Sequence, residues 1–337
     1  MESSQYLLGI ESTAHTFGAS IATSDGRILS NAKDVYTPFT GRGIHPREAA
    51  QHHCEVSSQV ILRAFKEAKI RPRDLTAIAF SAGPGLGPAL RMGATIARGL
   101  ACYFKIPLVP VNHAIGHIEI GFLASNAQDP LVVLVSGGHT LITAHAGSHW
   151  RIFGETEDIT MGNLLDMFAR EAGLSPPTGV SVEQKARMSK RLLDLPYTVK
   201  GNDVTYSGLL SASIRKFHEG CKIEDLCFSL QEFSFSMFAE TVERSLAHTE
   251  KRELLLTGGV AANKRLQQML RNIAQEHDSR FYVVDFQYSG DCGAQIAWTG
   301  YLAYMQGIVI DVENSYVRPK WRLDEVEWKR IQGNLSH

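Results

Sequence analysis

The sequence predicts an α/β protein built from two related lobes, and three observations carry that expectation. A short phrase occurs twice, as Ser12-Thr13-Ala14-His15-Thr16 and Ser136-Gly137-Gly138-His139-Thr140, each reading S-x-x-H-T. Each copy follows an apolar run, Tyr6-Leu7-Leu8-Gly9-Ile10 in the first and Leu131-Val132-Val133-Leu134-Val135 in the second. Each is followed by a strand-like run, a polar turn (Ser24-Asp25-Gly26 or Gly147-Ser148-His149) and another strand-like run. A strand–turn–strand–turn–strand unit repeated at long spacing points to duplicated subdomains. Beyond each unit, strand-length apolar runs alternate with helix-length stretches, the pattern of sheets covered by helices. Small residues in the first turn let a backbone approach a phosphate and aim N–H groups at it. Two such turns facing each other would form a nucleotide cleft; two unrelated β-hairpins are the plainer alternative.

The remaining elements follow in chain order. Residues 46–68 read as a helix with Pro46 in its first turn, where a missing N–H costs nothing. Residues 77–81 form a short apolar strand that enters Gly83-Pro84-Gly85-Leu86-Gly87-Pro88 and then a helix over 89–104. Residues 108–111 give another buried strand, and 113–123 another helix. The stretch Ala124-Ser125-Asn126-Ala127-Gln128-Asp129-Pro130 marks the lobe boundary, dividing the chain into 1–128 and 129–294. The segment 295–330 is expected to complete the first lobe. The second lobe continues with helices near 162–173, 181–190 and 226–250, a strand at 254–256 and a helix from Asn263.

Composition bounds the function. A chain of 337 residues accommodates two lobes of ordinary size, and 44% hydrophobic with 20% charged residues is normal for a globular protein. The net charge of −1 offers no global field to a polyanion, so nucleic-acid binding needs a local basic patch or a partner. Arg187, Lys190 and Arg191 form a basic cluster, which reads first as a solvated helix face. Five cysteines with no CxxC pair suit a reducing compartment. No apolar run approaches the roughly 20 residues of a membrane span. The first strand begins almost at the N-terminus, leaving no room for a signal peptide. A cytoplasmic location is expected, with no membrane partner.

Two glycine turns, Ser81-Ala82-Gly83-Pro84-Gly85-Leu86-Gly87 and Thr257-Gly258-Gly259-Val260-Ala261-Ala262-Asn263, follow strands and open helices. Such junctions offer free N–H groups at a positive helix end. Neither matches a P-loop or a Rossmann fingerprint, and each taken singly reads as a structural turn. Asn263 is placed either to cap a helix or to touch a ribose or base. His113-Ala114-Ile115-Gly116-His117 puts two imidazoles on one helix face, where they can share a cation. With 13 histidines, about 0.5 such pairs arise by chance, so the spacing needs a third ligand. Asp291, in a polar turn before an apolar helix, is one candidate, with an ordinary helix cap as its plain alternative. His45, His52 and His53 are others. The glutamate of the HExxH zinc proteases is missing.

At this point the residues match a family. The chain resembles the universal tRNA threonylcarbamoyladenosine synthases. The matching segments, in family order, are Gly9-Ile10-Glu11-Ser12-Thr13, His45-Pro46-Arg47-Glu48-Ala49-Ala50, Gly83-Pro84-Gly85-Leu86, His113-xxx-His117, Val135-Ser136-Gly137-Gly138, Gly154-Glu155-Thr156, Gly258-Gly259-Val260-Ala261-Ala262-Asn263 and Asp291-x-Gly293-Ala294. They run from Leu8 to about Glu327, and their co-occurrence is far more specific than any one alone. The run Asp194-Leu195-Pro196-Tyr197-Thr198-Val199-Lys200-Gly201 looks like the archaeal and eukaryotic branch, which works inside the KEOPS complex.

The resemblance implies the actin-like ATPase (ASKHA) fold, agreeing with the duplicated hairpin. It implies that His113, His117 and Asp291 hold one divalent metal ion. Two histidines and a carboxylate suit iron(II), zinc or manganese, and the resemblance favours iron(II). It implies that Leu134, Val135, Ser136, Gly137, Gly138, Asp166, Gly179, Glu183 and Asn263 line an ATP or adenylate site. Glu11 and Ser12, at the end of the first apolar run, are taken as catalytic. The implied reaction moves a threonylcarbamoyl group from threonylcarbamoyl-AMP to the exocyclic amine of the adenosine 3′ of a tRNA anticodon. The implied partners are tRNA and the other KEOPS subunits, among them a small atypical kinase expected as a separate chain. Three positions depart from the archaeal and eukaryotic pattern. Leu134 stands where that branch has a tyrosine that helps bind the metal, His139 replaces an asparagine, and Pro176-Pro177-Thr178-Gly179 replaces Pro-Gly-Gly-Pro. Three rivals are weighed: a metalloprotease, a kinase or chaperone-type ATPase on the same fold, and a non-catalytic scaffold. A stoichiometric metal would separate the enzyme from the second.

Overall fold

The computed structural model describes residues 5–38 and 43–330. The chain opens with β1 (Tyr6–Glu11), β2 (Thr16–Thr23) and β3 (Ile28–Val35), followed by α1 (Pro46–Ala68), β4 (Ala77–Gly83), α2 (Gly87–Phe104), β5 (Leu108–Asn112) and α3 (His113–Ser125). The second half begins with β6 (Leu131–Val135), β7 (Thr140–Ala146) and β8 (His149–Glu155), then α4 (Met161–Glu171) and α5 (Gly179–Ala186). A ribbon of β9 (Val199–Lys200) and β10 (Asp203–Val204) leads to α6 (Ser207–His218) and α7 (Ile223–Thr249). The last elements are β11 (Glu253–Thr257), α8 (Lys264–Glu276), β12 (Arg280–Val283), α9 (Phe286–Ser289) and α10 (Gly293–Met305).

The two halves carry the same sheet. The first has strand order β3-β2-β1-β4-β5, and the second, read from its hairpin side, has β8-β7-β6-β11-β12. In both, the opening three strands are antiparallel and the last two join in parallel. The repeated S-x-x-H-T phrase occupies the first turn of each hairpin, between β1 and β2 and between β6 and β7. All eight residues of β2 are buried, because α1 covers one face of the sheet and α10 the other.

α10 belongs by sequence to the second half but rests on the first sheet. Gly9 permits this: a Cβ built there would lie 2.1 Å from the backbone nitrogen of Ala297. α3 makes the complementary crossing, touching β5 and β4 of its own half and β6, β11 and β12 of the other. α3 and α10 therefore lie side by side between the sheets. A shared apolar core joins Leu7, Ala79, Val111 and Ile115 with Val132, Leu134, Leu255 and Ile296. After α10 the chain returns along the first sheet, where Ile310 N–H donates to the Leu108 carbonyl and Arg318 N–H to that of Ala82. It then reaches the second, where Trp328 N–H donates to the Ser148 carbonyl (2.7 Å).

Among the elements that the sequence patterning does not announce, α6 and β12 are instructive. α6 is rich in serine and has only a short apolar stripe, so its helicity follows from packing on α7. β12 is a four-residue edge strand held in parallel pairing by β11.

Candidate active site

The first residue of α3 is His113, and the helix starts there because Asn112 caps it. The Asn112 side-chain oxygen accepts the N–H groups of Ala114 (3.0 Å) and Ile115 (3.3 Å). One turn later, His117 sets its ring edge-on to that of His113, with centroids 4.6 Å apart. The turn before α10 brings in Asp291, whose Oδ1 lies 3.5 Å from His113 Nε2 and 3.3 Å from His117 Nε2. One donor atom from each side chain falls within 4.8 Å of the others. Neither ring nitrogen of His117 makes a hydrogen bond among the described residues, although both are buried. Buried nitrogens without partners, facing a carboxylate, are what a cation would satisfy.

Glu11, fully buried at the end of β1, places Oε2 2.9 Å from His113 Nδ1. Its other oxygen accepts the N–H (2.6 Å) and hydroxyl (2.5 Å) of Thr13. The carboxylate thus fixes the His113 ring with Nε2 turned toward Asp291, an outer-shell arrangement common around metal-binding imidazoles. Gln295 of α10 lies 3.2 Å from the same Nδ1, and Thr257 Oγ1 donates to the His117 carbonyl (3.0 Å). Thr13 and Thr257 fall within motifs quoted from the sequence without being singled out, and Gln295 carries no motif that spacing alone would flag.

The electrostatics divide the cluster. Burial opposes charge on His113, but Glu11 and Asp291 outweigh it and raise its pKa to about 10. Burial, with His113 nearby, lowers that of His117 despite Asp291. Burial works against the Asp291 carboxylate too, yet the two imidazoles hold it well below the usual range. In the metal-free cluster His113 therefore carries a proton and His117 does not.

Ser12 sits differently from Glu11. Its N–H donates to Ser81 Oγ (3.0 Å), and its hydroxyl lies against Gly93 of α2. Of the two residues taken as catalytic, Glu11 contacts His113, whereas Ser12 lies against α2.

Leu134 is buried on β6 in the core between the lobes, so it brings no donor to the metal cluster. Val135 is buried beside it. Ser136 shapes the turn that follows, its hydroxyl accepting the N–H groups of Gly138 (3.2 Å) and His139 (3.0 Å). Gly137 and Gly138 are left exposed. The Gly137 carbonyl accepts Thr160 Oγ1 (2.7 Å), tying the turn to the cap of α4. His139 lies with its ring 5.9 Å from that of His113, and its buried Nδ1 has no hydrogen bond among the described residues. Burial and the facing imidazoles lower its pKa to about 3.

The other nucleotide candidates form a trail away from this turn. Asp166 of α4 accepts the Gly179 N–H (2.8 Å) at the start of α5, and burial raises its pKa. Glu183 accepts Arg187 (2.7 Å) and the Lys264 N–H (3.2 Å). Asn263 caps α8. Its oxygen accepts Arg265 N–H (2.9 Å) and Leu266 N–H (3.3 Å), and its amide donates to Gln231 (3.0 Å). The second glycine turn closes on the hairpin. Gly258 has φ +95°, and a Cβ there would lie 2.2 Å from the Val135 carbonyl oxygen. Of the other histidines, His52 pairs with Asp34 (3.2 Å), and His53 is buried against Phe17 of β2. Among the described residues, only His113, His117 and Asp291 form a cluster of metal-ligating type. No described helix is long and apolar enough to cross a membrane.

Comparison with known proteins agrees with this arrangement. A solved structure of HypF from T. kodakarensis superposes with a TM-score of 0.62 at 15% identity, over 91% of this chain and 48% of that one. The activator of 2-hydroxyisocaproyl-CoA dehydratase from Clostridium difficile gives 0.56 at 12% identity, over 90% and 97%. At such low identity these likenesses establish the fold, that of the actin-like ASKHA group. The tRNA N6-adenosine threonylcarbamoyltransferase of Caldivirga maquilingensis is 49% identical over 330 residues, covering 98% of this chain and 99% of that protein. The protein of the same name from Hyperthermus butylicus is 51% identical, over 96% and 91%. The model of the TsaD family, described as tRNA N6-adenosine threonylcarbamoyltransferase, matches residues 26–298. The chain belongs to the TsaD family.

Proposed function

We propose that this chain transfers a threonylcarbamoyl group from threonylcarbamoyl-AMP to the exocyclic N6 amine of the adenosine 3′ of the anticodon in ANN-decoding tRNAs. The observation that carries the reading is the convergence of Glu11, His113, His117 and Asp291 beside the exposed Gly137-Gly138 turn, in a chain of this family. We take 1–128 with 295–330 as one lobe and 129–294 as the other, with ATP or the adenylate between them.

The donor set fits a divalent metal. Two imidazoles and a carboxylate converge, the His117 nitrogens lack other partners, and Glu11 fixes the His113 ring. Iron(II) is the ion we assign, with zinc or manganese chemically compatible. When bound, such an ion supplies positive charge for the phosphate that departs.

The adenosine amine is delocalised into its ring and is a poor nucleophile, whereas the mixed anhydride is already activated. The work left to the protein is orientation and charge stabilisation. As the amine nitrogen bonds to the carbamoyl carbon, it loses a proton, the carbon–oxygen bond to phosphate breaks, and AMP leaves with the bonding pair. Glu11 acts on this step through His113, as a positioning group. Ser136 holds the turn so that the Gly137-Gly138 backbone faces solvent, where a phosphate can approach it. Asp166 and Glu183 are suited to ribose hydroxyls, since ionised carboxylates only accept hydrogen bonds. KEOPS subunits, including a small kinase as a separate chain, complete the assembly in this reading. A metalloprotease is disfavoured because Ala114 stands where the HExxH helix has its glutamate.

Reconstituted transfer of labelled threonine onto unmodified tRNA, with and without those partners, tests the proposal. Transfer that needs this chain and stops on chelation is expected. No transfer under any combination of partners would refute it.

A further inference from the structure

The net charge of the chain leaves a polyanionic substrate to be held by a local patch, and the first lobe carries one outside the site just described. Arg91 of α2, Arg318 and Lys320 are exposed and make no ion pair among the described residues. Arg318 and Lys320, with Pro319, Trp321 and Glu325, line an open cavity of about 470 Å³. The Arg318 guanidinium lies over the Trp321 ring, 4.9 Å from its centroid. Arg91 joins them across the start of α2, because a Cβ built at Gly87 would sit 3.5 Å from Arg91 Nη1 and 3.6 Å from Pro319 Cγ. Glu325 is the one acid lining the cavity, and nearby Arg322 is already matched by Asp324 and Glu155.

The patch is joined to the site by backbone. Gly85 N–H donates to the Pro319 carbonyl (3.1 Å), and Leu86 N–H donates to that of Thr13 (2.7 Å). Thr13 in turn binds Glu11, which contacts His113. Unpaired cations beside an aromatic ring suit a nucleic-acid backbone better than a protein surface, where charges of both signs alternate.

We propose that Arg91, Arg318 and Lys320 form a docking surface for the phosphodiester backbone of the tRNA, steadying the strand next to the adenosine presented in the cleft. This rests on the transferase reading. The charge is linked to the metal cluster through the Gly85-Leu86 loop, Thr13 and Glu11.

The test measures binding of labelled, unmodified tRNA to the full chain across a salt series, with no catalysis required. The triple variant Arg91→Gln/Arg318→Gln/Lys320→Gln is compared with the charge-matched Arg187→Gln/Lys190→Gln/Arg191→Gln. Each phosphate contact contributes roughly 0.7–0.9 to the slope of log affinity against log salt, so losing three should flatten it by about 2–3 and weaken binding at least about tenfold. The second variant should keep most of the affinity and slope. Equal losses in both, or none in the first, would overturn the surface. So would retained tRNA binding with loss of a partner subunit, which would assign the patch to protein. Wild-type protein that binds no tRNA, alone or with its partners, would instead refute the transferase reading itself.

Discussion

The turn at Gly137 offers a direct test of the proposed nucleotide cleft, because a side chain added there has nothing to collide with in the fold. Gly137 is exposed and its φ lies outside the positive range, and a Cβ built there meets nothing within 4 Å. A valine should therefore cost the metal-free, nucleotide-free protein no more than about 0.5 kcal/mol, as for ordinary surface changes. The same branched side chain would stand where a phosphate must approach the backbone. Saturating the wild type with ATP at 100 times its Kd stabilises it by about 2.7 kcal/mol. At roughly 2 °C per kcal/mol for a chain this long, that is a rise in melting temperature of about 5 °C. Gly137→Val should melt like the wild type without ATP and lose most of the rise with it. Gly258→Ala is the contrast, since its Cβ would collide with the Val135 carbonyl at positive φ, and it should lower the melting temperature before any ligand is added. Thermal melts of both variants, with and without ATP and metal, decide the matter. An unchanged ATP rise in Gly137→Val would remove this turn from the nucleotide site and undercut the two-lobed cleft.

Four further outcomes follow. Asp291→Ala should empty the metal site and leave the fold intact, because a turn carboxylate is not core packing; undiminished metal content on elemental analysis would count against the assignment. His113 carries a proton below about pH 10, so metal binding should release one proton and its affinity should rise about tenfold per pH unit through the neutral range, measured by competitive chelator titration. Glu11→Gln should flatten that dependence. Asn263→Ala should cost about 1 kcal/mol through loss of the α8 cap, visible in melts without ATP, and should weaken ATP binding only mildly. Glu119, buried on α3 with one oxygen accepting Trp328 Nε1–H (2.8 Å), has its pKa raised by burial to about 7. A raised folded-state pKa favours the protonated native form, so stability should be greatest below about pH 4.5 on this account and fall as pH rises through 7, by about 3 kcal/mol. Glu119→Gln should remove that slope in denaturant titrations at pH 4.5 and 8; an equal slope in both proteins would contradict it.

Much of the frame was legible because it is periodic. The two hairpins announce themselves through apolar runs, small-residue turns and their repetition, and α1 begins at the proline that favours a first turn. The i, i+4 spacing of His113 and His117 needs only helix geometry. Their third partner was another matter. Asp291 lies far along the chain, and only the crossing of α3 with α10 brings it within reach, so spacing left it among several candidates until the family resemblance singled it out. Glu11 was legible as a motif member but not as a positioning group, since four strands and two helices separate it from His113 along the chain. Leu134 looked like a lost ligand; its burial between the lobes shows a side chain recruited to the core. Asn263 offered two roles, and its oxygen caps α8 while its amide binds Gln231 of α7. α6 and β12 were silent because serine-rich helices and short edge strands draw their structure from neighbours.

The duplication explains why the site sits where it does, and also why it is not symmetric. Aligned turn for turn, Ser12 matches Ser136 and His15 matches His139, but Glu11 matches Val135. The first hairpin thus ends in a buried carboxylate that steadies His113, while the second ends in an apolar residue and opens into two exposed glycines. The glycine turns diverge in the same sense. In the first lobe the turn after β4 lies on the hairpin, with Leu86 N–H bound to Thr13, so that backbone is already satisfied. In the second, Gly258 presses on Val135 behind the turn and leaves Gly137 and Gly138 uncovered. α3 and α10 cross between the sheets, and the start of each carries half of the metal cluster, His113 with His117 on one and Asp291 before the other. A fold with two equivalent halves therefore places one cluster of metal-ligating side chains between them and one exposed glycine turn beside it. In the function proposed above, a phosphate lies between the two, with its anionic oxygens held by the metal on the histidine side and the glycine backbone on the other.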